Sequence, residues 1–197
     1  MKSTSLYIQN NPEAKKFLNE SCNGKVEYVA YFDQTNSQPN GVTLSFDDFD
    51  PSQNMGLDGF RQKVQRGPPY HRFEYYFPIG CYGFGLNVDK YVKQYGNDWL
   101  KKDGNLNEWR IMYYGTKQAA VNQILRNNLI AGGAQDYQNT ECIDEFGNKV
   151  KVGRGIYFSD RLSVSKGYKN PVQTGNKKFS VYFMSRVNPR KLDKVRA

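Results

Sequence analysis

Few residues in this chain are equipped for chemistry, and the exclusions come first. His71 is its one histidine, and the cysteines Cys22, Cys81 and Cys142 stand far apart without a C-x-x-C pair, so no ordinary zinc set can be assembled. His71 lies beside Arg72 in a proline-led segment and reads as a surface histidine, and no base neighbours the thiols, which read as inert. Gly80-Cys81-Tyr82-Gly83-Phe84-Gly85 has the glycines of a phosphate loop but neither its Lys-Ser/Thr nor a helix opening behind it, so turns or bulges are expected there. What remains are tyrosines, serines and glycines in two segments. One is Tyr113-Tyr114-Gly115-Thr116; the other is Val152-Gly153-Arg154-Gly155-Ile156-Tyr157-Phe158-Ser159-Asp160, followed by Ser163, Ser165 and Tyr168. A glycine lets a ligand approach the main chain closely, and a tyrosine offers an apolar face with a polar tip.

The elements that must position these segments follow from periodicity and turn residues. Trp109 to Tyr114 (WRIMYY) reads as a strand, and Lys117 to Asn128 as a helix with Ala120, Val121, Ile124 and Leu125 on one stripe, closed by Asn127-Asn128. Gly155 to Ser159 reads as a second strand, Asp160 to Tyr168 as a turn into a helix, and Lys178 to Met184 as a last strand. Upstream, residues 11 to 24 predict a short helix with Asn11 as cap and Pro12 at its first position; Lys25 to Phe32 and Val42 to Phe46 predict a hairpin with a long loop. Asp47 to Pro69 shows no clear period, and Pro68-Pro69 predicts an extended passage, so this stretch reads as a linker. Tyr70 to Phe77 and Gly80 to Val88 read as an aromatic strand pair; Asp89 to Leu100 reads as a short helix with Tyr91, Tyr95 and Trp99 four apart.

At 197 residues the chain suits one domain with an N-terminal extension, divided here as 1–70 and 71–197. Hydrophobic content of 38% with 15% aromatics suffices for a packed core. The formal charge of +9 favours phosphates, acidic or multi-subunit protein partners, or nucleic acid. Fifteen tyrosines suit clefts and interfaces. The odd cysteine count points to a reducing intracellular compartment, cytoplasmic or cytoskeletal with the nucleus as an alternative, and no segment has the apolar length of a signal peptide or membrane span.

Taken together, the strand ending in YYGT, the helix with its isoleucine and leucine stripe, the Gly-rich loop and GRGIYFSD resemble the catalytic domains of the poly(ADP-ribose) polymerase group and their shorter relatives. The likeness runs from about Gly80 to Pro189. It implies an α+β fold, the ADP-ribosyltransferase-type split β-sandwich with short flanking helices, and NAD as the bound substrate.

The resemblance also implies roles. Tyr114 stands where the family has a histidine that bonds the adenosine ribose, and Gly115 where a glycine pairs through its main chain with the nicotinamide amide, with Thr116 beside it. Tyr157 matches an aromatic that lines the nicotinamide pocket, Ser165 a hydroxyl that bonds the carboxamide, and Tyr168 a ring that stacks on the nicotinamide. Tyr114 and Tyr157 are thus the catalytic candidates, and Gly115, Thr116, Tyr157, Ser165 and Tyr168 the NAD-binding ones. The family's late-strand glutamate has no counterpart after Glu145 among these residues. Losing such electrostatic stabilisation costs about 10²-fold to 10³-fold in rate. The expected protein is therefore a weak or inactive ADP-ribosyltransferase, transferring single ADP-ribose units if it turns over. The other expectations are a non-enzymatic scaffolding subunit of a large assembly and, third, a nucleic-acid binder.

Overall fold

The computed structural model describes residues 46–56, 63–131, 138–165, 172–174, 177–192 and 195–196. The helix and hairpin expected before residue 46 lie outside them. The fold is mixed helix and strand, with small antiparallel sheets and few helices among the described residues.

The central element is strand β5 (Arg110–Gly115), preceded in the chain by β1 (Met55–Gly56), β2 (Lys63–Arg66), β3 (Phe73–Tyr76) and β4 (Tyr82–Gly83). Later strands are β6 (Glu141–Asp144), β7 (Lys149–Lys151), β8 (Val172–Thr174), β9 (Lys177–Phe179), β10 (Tyr182–Val187) and β11 (Val195–Arg196). β5 pairs antiparallel with β10 along its whole length, Gly115 opposite Tyr182 and Ile111 opposite Arg186. Alternation along β5 sends Ile111 and Tyr113 to one face, where they pack with Phe73 and Tyr75 of β3 as a buried cluster that Val64, Phe77 and Leu162 complete. The hydroxyl of Tyr113 donates to the carbonyl of Tyr76, so the phenol is satisfied inside the core.

The stretch read as a linker is built into this core. Val64 to Arg66 pair with Phe73 to Tyr75 across a hairpin, and His71 N–H donates to Pro68 carbonyl (2.9 Å), so the two prolines form its turn instead of an extended passage. Gly67 takes φ +84° there, and a side chain would strike the Phe73 ring. Strand pairing thus crosses residue 70. The aromatic pair expected between 70–77 and 80–88 does not form, because β3 takes β2 as its partner and β4 takes β1.

Among the described residues three α-helices accompany the strands. α1 (Asp89–Tyr95) begins where Asn87 Oδ1 accepts the Asp89 N–H (3.0 Å) and ends at Gly96, whose φ of +73° breaks the helix. Trp99 therefore falls in a separate 3-10 turn (Asp98–Leu100) and is buried, while Tyr95 stays exposed, so the expected tyrosine and tryptophan stripe is not one helix face. α2 (Gln118–Asn127) matches its expected span and buries Val121; Asn128 ends it at φ +66° with its N–H on Ile124 carbonyl. α3 (Leu162–Ser165) is a single turn. The expected last strand divides into β9 and β10, and residues 141–151 form the β6–β7 hairpin around an Asp144 to Asn148 turn. The Asn148 side-chain amide first, then the main-chain N–H groups of Asn148 and Phe146, donate to Asp144 and hold its carboxyl below the usual range. Among the described residues no helix is long and apolar enough to cross a membrane.

Candidate functional site

The two chemistry-bearing segments lie side by side. Tyr113 N–H donates to Ser159 carbonyl (2.7 Å), and Ser159 N–H donates to Tyr113 carbonyl (3.0 Å). That double exchange defines a hydrogen-bonded antiparallel pair on the edge of β5 away from β10. Register then dictates the rest. The next residues, Tyr114 and Phe158, form a pair whose main chains turn away from each other, and their rings meet edge to face at 5.9 Å. An ideal antiparallel register carried one step further would set Gly115 opposite Tyr157, and the N–H and C=O of Gly115 are directed along the same edge of β5 as those of Tyr113. Among the described residues the ladder between the segments is this one bridge, which ends before Gly115 and Tyr157, each two residues from it.

Tyr157 is half-buried, and its hydroxyl donates to Gly153 carbonyl, which closes the Gly-Arg-Gly-Ile-Tyr loop on itself and fixes the ring. Arg154 reaches across to Ala131 carbonyl (3.1 Å) and anchors the same loop to the chain after α2. Ile156, Tyr157 and Phe158 line a broad cleft that also runs past Phe146 and Val150. Ser165 is 3% exposed, and its hydroxyl donates to the Tyr113 carbonyl (3.2 Å), the same oxygen that Ser159 N–H occupies. Its oxygen lone pairs remain for accepting a bond. Thr116 is also buried, with its hydroxyl 3.5 Å from Lys117 carbonyl. Tyr168 lies outside the described residues. Tyr114, Gly115, Tyr157 and Ser165 are thus gathered around one bridge, with Ser165 beneath it.

Burial dominates the electrostatics around the bridge. The Tyr113 hydroxyl is pushed far above the usual phenol range, first by burial and second by Tyr75 beside it, so it stays protonated. Arg110 stacks over Phe73 (4.8 Å), and burial lowers its guanidinium although Asp160 and Glu145 oppose the change. Below Ser159, whose hydroxyl accepts Arg161 N–H (3.1 Å), the Arg161 guanidinium donates to Tyr76 hydroxyl (3.0 Å) and ties the second segment to β3. Tyr76 in turn donates to Glu74, which also pairs with Lys63.

A second polar cluster went unnoticed in the sequence. Arg66 donates twice to Glu108 (3.0 and 2.8 Å), the other Glu108 oxygen accepts Gly104 N–H (3.0 Å), and Arg186 donates to the carbonyls of Trp109 and Leu100. These residues come from β2, β10 and the approach to β5, separated by up to 120 positions, and no local spacing links them. The described residues contain no group of three or more histidine, cysteine or acidic side chains placed to hold a metal ion. In comparisons with known proteins, no family model, no curated protein and no solved structure matches the chain.

Proposed function

We propose that this protein is an ADP-ribosyltransferase-like domain of the split β-sandwich type, which holds the nicotinamide end of NAD between the Gly115 main chain and the Tyr157 ring. The observation that supports this reading is the Tyr113–Ser159 bridge, which ties the two segments together with Gly115 and Tyr157 each two residues away from it along the chain. A primary amide has one face of N–H and one of C=O, as a strand residue does, so a nicotinamide carboxamide at Gly115 would continue the ladder. Glycine is suited to that contact, because a side chain would hold the ligand away from the main chain. Tyr157 would cover one face of the ring, and the Ser165 oxygen would accept from the carboxamide.

Turnover is weak or absent in this reading. The Tyr114 ring is engaged with Phe158, an apolar contact in place of the ribose-bonding imidazole of the family. No carboxylate lies on β10, which pairs with the site strand. If transfer occurs, the product is a single ADP-ribose unit on a protein acceptor.

The test is calorimetric titration of the protein with nicotinamide and with NAD, beside Gly115→Val. Saturable binding of both ligands that the variant loses supports the reading. Absence of binding by either ligand to the unaltered protein overturns the slot, and rapid consumption of labelled NAD overturns the weak-turnover part alone.

A further inference from the structure

Three cations and one carboxylate gather where residues 100–104 cross the start of β5. Glu108 has no exposed side-chain surface, and both of its oxygens are used, one by Arg66 and the other by Gly104 N–H. It balances one guanidinium. Arg186, which sits opposite Ile111 in the β5–β10 register, spends its two terminal nitrogens on the neutral carbonyls of Trp109 (2.9 Å) and Leu100 (2.7 Å), and among the described residues it forms no ion pair with a carboxylate. Lys102 stands two residues after Leu100 and two before Gly104. The bonds that pin those flanking residues set its main chain between the Glu108 carboxylate and the Arg186 guanidinium, and its ammonium feels the charge of both arginines.

Three positive charges thus meet one negative charge where Arg66 and Glu108 are buried, Arg186 is half-buried and Lys102 is exposed. Burial first, and Arg66 and Arg186 after it, hold the Lys102 ammonium below its ordinary range, while burial and then Arg66 bring Arg186 down to about 10. Repulsion of this kind opposes folding unless an anion joins the cluster. Arg66, Lys102 and Arg186 all line the broad cleft, so an anion from solvent has a route to them.

We propose that this cluster is an anion site that takes a phosphate group, held by the Lys102 ammonium and by the guanidinium N–H groups that Glu108 and the two carbonyls leave over. A phosphate suits the site because its charge of about −1.5 to −2 at neutral pH answers the two surplus positive charges, and its several oxygens can accept from more than one donor at once. From Ile111 to Gly115 the strand rises about 13 Å at its usual pitch. The site is therefore separate from the Gly115 slot and does not rest on the reading given to it.

The experiment is thermal unfolding of the full chain in inorganic phosphate against chloride at matched ionic strength, with Lys102→Gln and, as a control, Lys149→Gln. Both lysines are exposed, so neither change threatens folding. The expected result is a melting temperature that rises saturably with phosphate, an apparent affinity about tenfold weaker in Lys102→Gln for loss of one charge-assisted bond, and no change in Lys149→Gln. Adding ADP distinguishes sources of the phosphate. Competition with inorganic phosphate, weakened in Lys102→Gln, identifies a nucleotide phosphate, and phosphate binding that ADP leaves untouched identifies the free ion. Equal melting temperatures in phosphate and chloride, or a full phosphate response in Lys102→Gln, would overturn the proposal.

Discussion

Glu108 and Arg66 meet at 2.8 Å in a place where the glutamate side chain has no exposed surface and the arginine side chain retains 9%. Breaking a buried pair from one side leaves the other charge without a partner, at a cost of about 3–5 kcal/mol. Glu108→Ala should therefore lower stability by that amount, read as a fall in the urea midpoint. Replacing both partners with apolar residues, Arg66→Met with Glu108→Leu, should cost less than the single change. A single variant that unfolds with the unaltered midpoint would show that the pair carries no weight.

Gly85 is a second place where stability is concentrated. A side chain there would meet the Asp50 carbonyl and lie 2.5 Å from Gln53 Cβ, while the Gly85 N–H and C=O are bonded to Asn54 and Asp50. Gly85→Ala should cost about 1–3 kcal/mol by forcing the 3-10 turn after Asp50 aside. Gly153 has open space around it, so Gly153→Ala should stay within about 0.5 kcal/mol of the parent. Chemical denaturation of the two variants checks the contrast.

How much of this was readable beforehand depended on the kind of signal each element carries. The strand at β5 follows from a short apolar and aromatic run closed by Gly115-Thr116, and the helix α2 from a four-residue stripe, both local patterns, and they fall where those patterns put them. The β2–β3 hairpin was not legible, because its inward residue at the turn is Arg66, a polar side chain whose burial depends on Glu108, 42 positions away. The β6–β7 hairpin left a usable sign in Asp144-Glu145-Phe146-Gly147-Asn148, where Gly147 takes φ +90°, but its strands are too short and charged to show alternation. At the candidate site, that the segment ending in Tyr114-Gly115 and the segment 155–159 lie side by side was expected only through family likeness. The bond from Ser165 to the Tyr113 carbonyl could not have been foreseen, since a main-chain acceptor leaves no trace in residue types.

Alkaline conditions should expose the buried phenols. An unfolded tyrosine ionises near pH 10, whereas Tyr113 and Tyr75 in the folded chain are held higher, by burial first in both cases. The folded state then binds more protons than the unfolded one above pH 10, so stability present below that pH is lost as pH rises. The slope approaches about 1.4 kcal/mol per pH unit for each such tyrosine. Arg186, lowered to about 10, acts in the opposite direction, so the measurement is best made as a difference. Unfolding free energies of the parent and Tyr113→Phe, compared from pH 9 to 11, should converge as pH rises.

Restoring the missing imidazole offers a direct probe of the proposed slot. Tyr114→His removes the ring that meets Phe158 and places a nitrogen closer to the main chain. If the slot takes NAD, the variant should bind it about 10-fold more tightly for one regained hydrogen bond of about 1–1.5 kcal/mol, while nicotinamide, which lacks the ribose, should bind unchanged. Calorimetry with both ligands reads this, and an equal gain for both would assign the effect to relaxed packing.

One oxygen atom, the carbonyl of Tyr113, serves two donors that arrive from different stretches of chain, Ser159 and Ser165. Loosening either stretch must therefore be felt by the other through the strand they share. Deuterium uptake at the Ser159 amide would then quicken when the Ser165 hydroxyl is deleted, and a small molecule seated nearby would slow uptake across the whole span from 156 to 165 instead of at its own contacts alone.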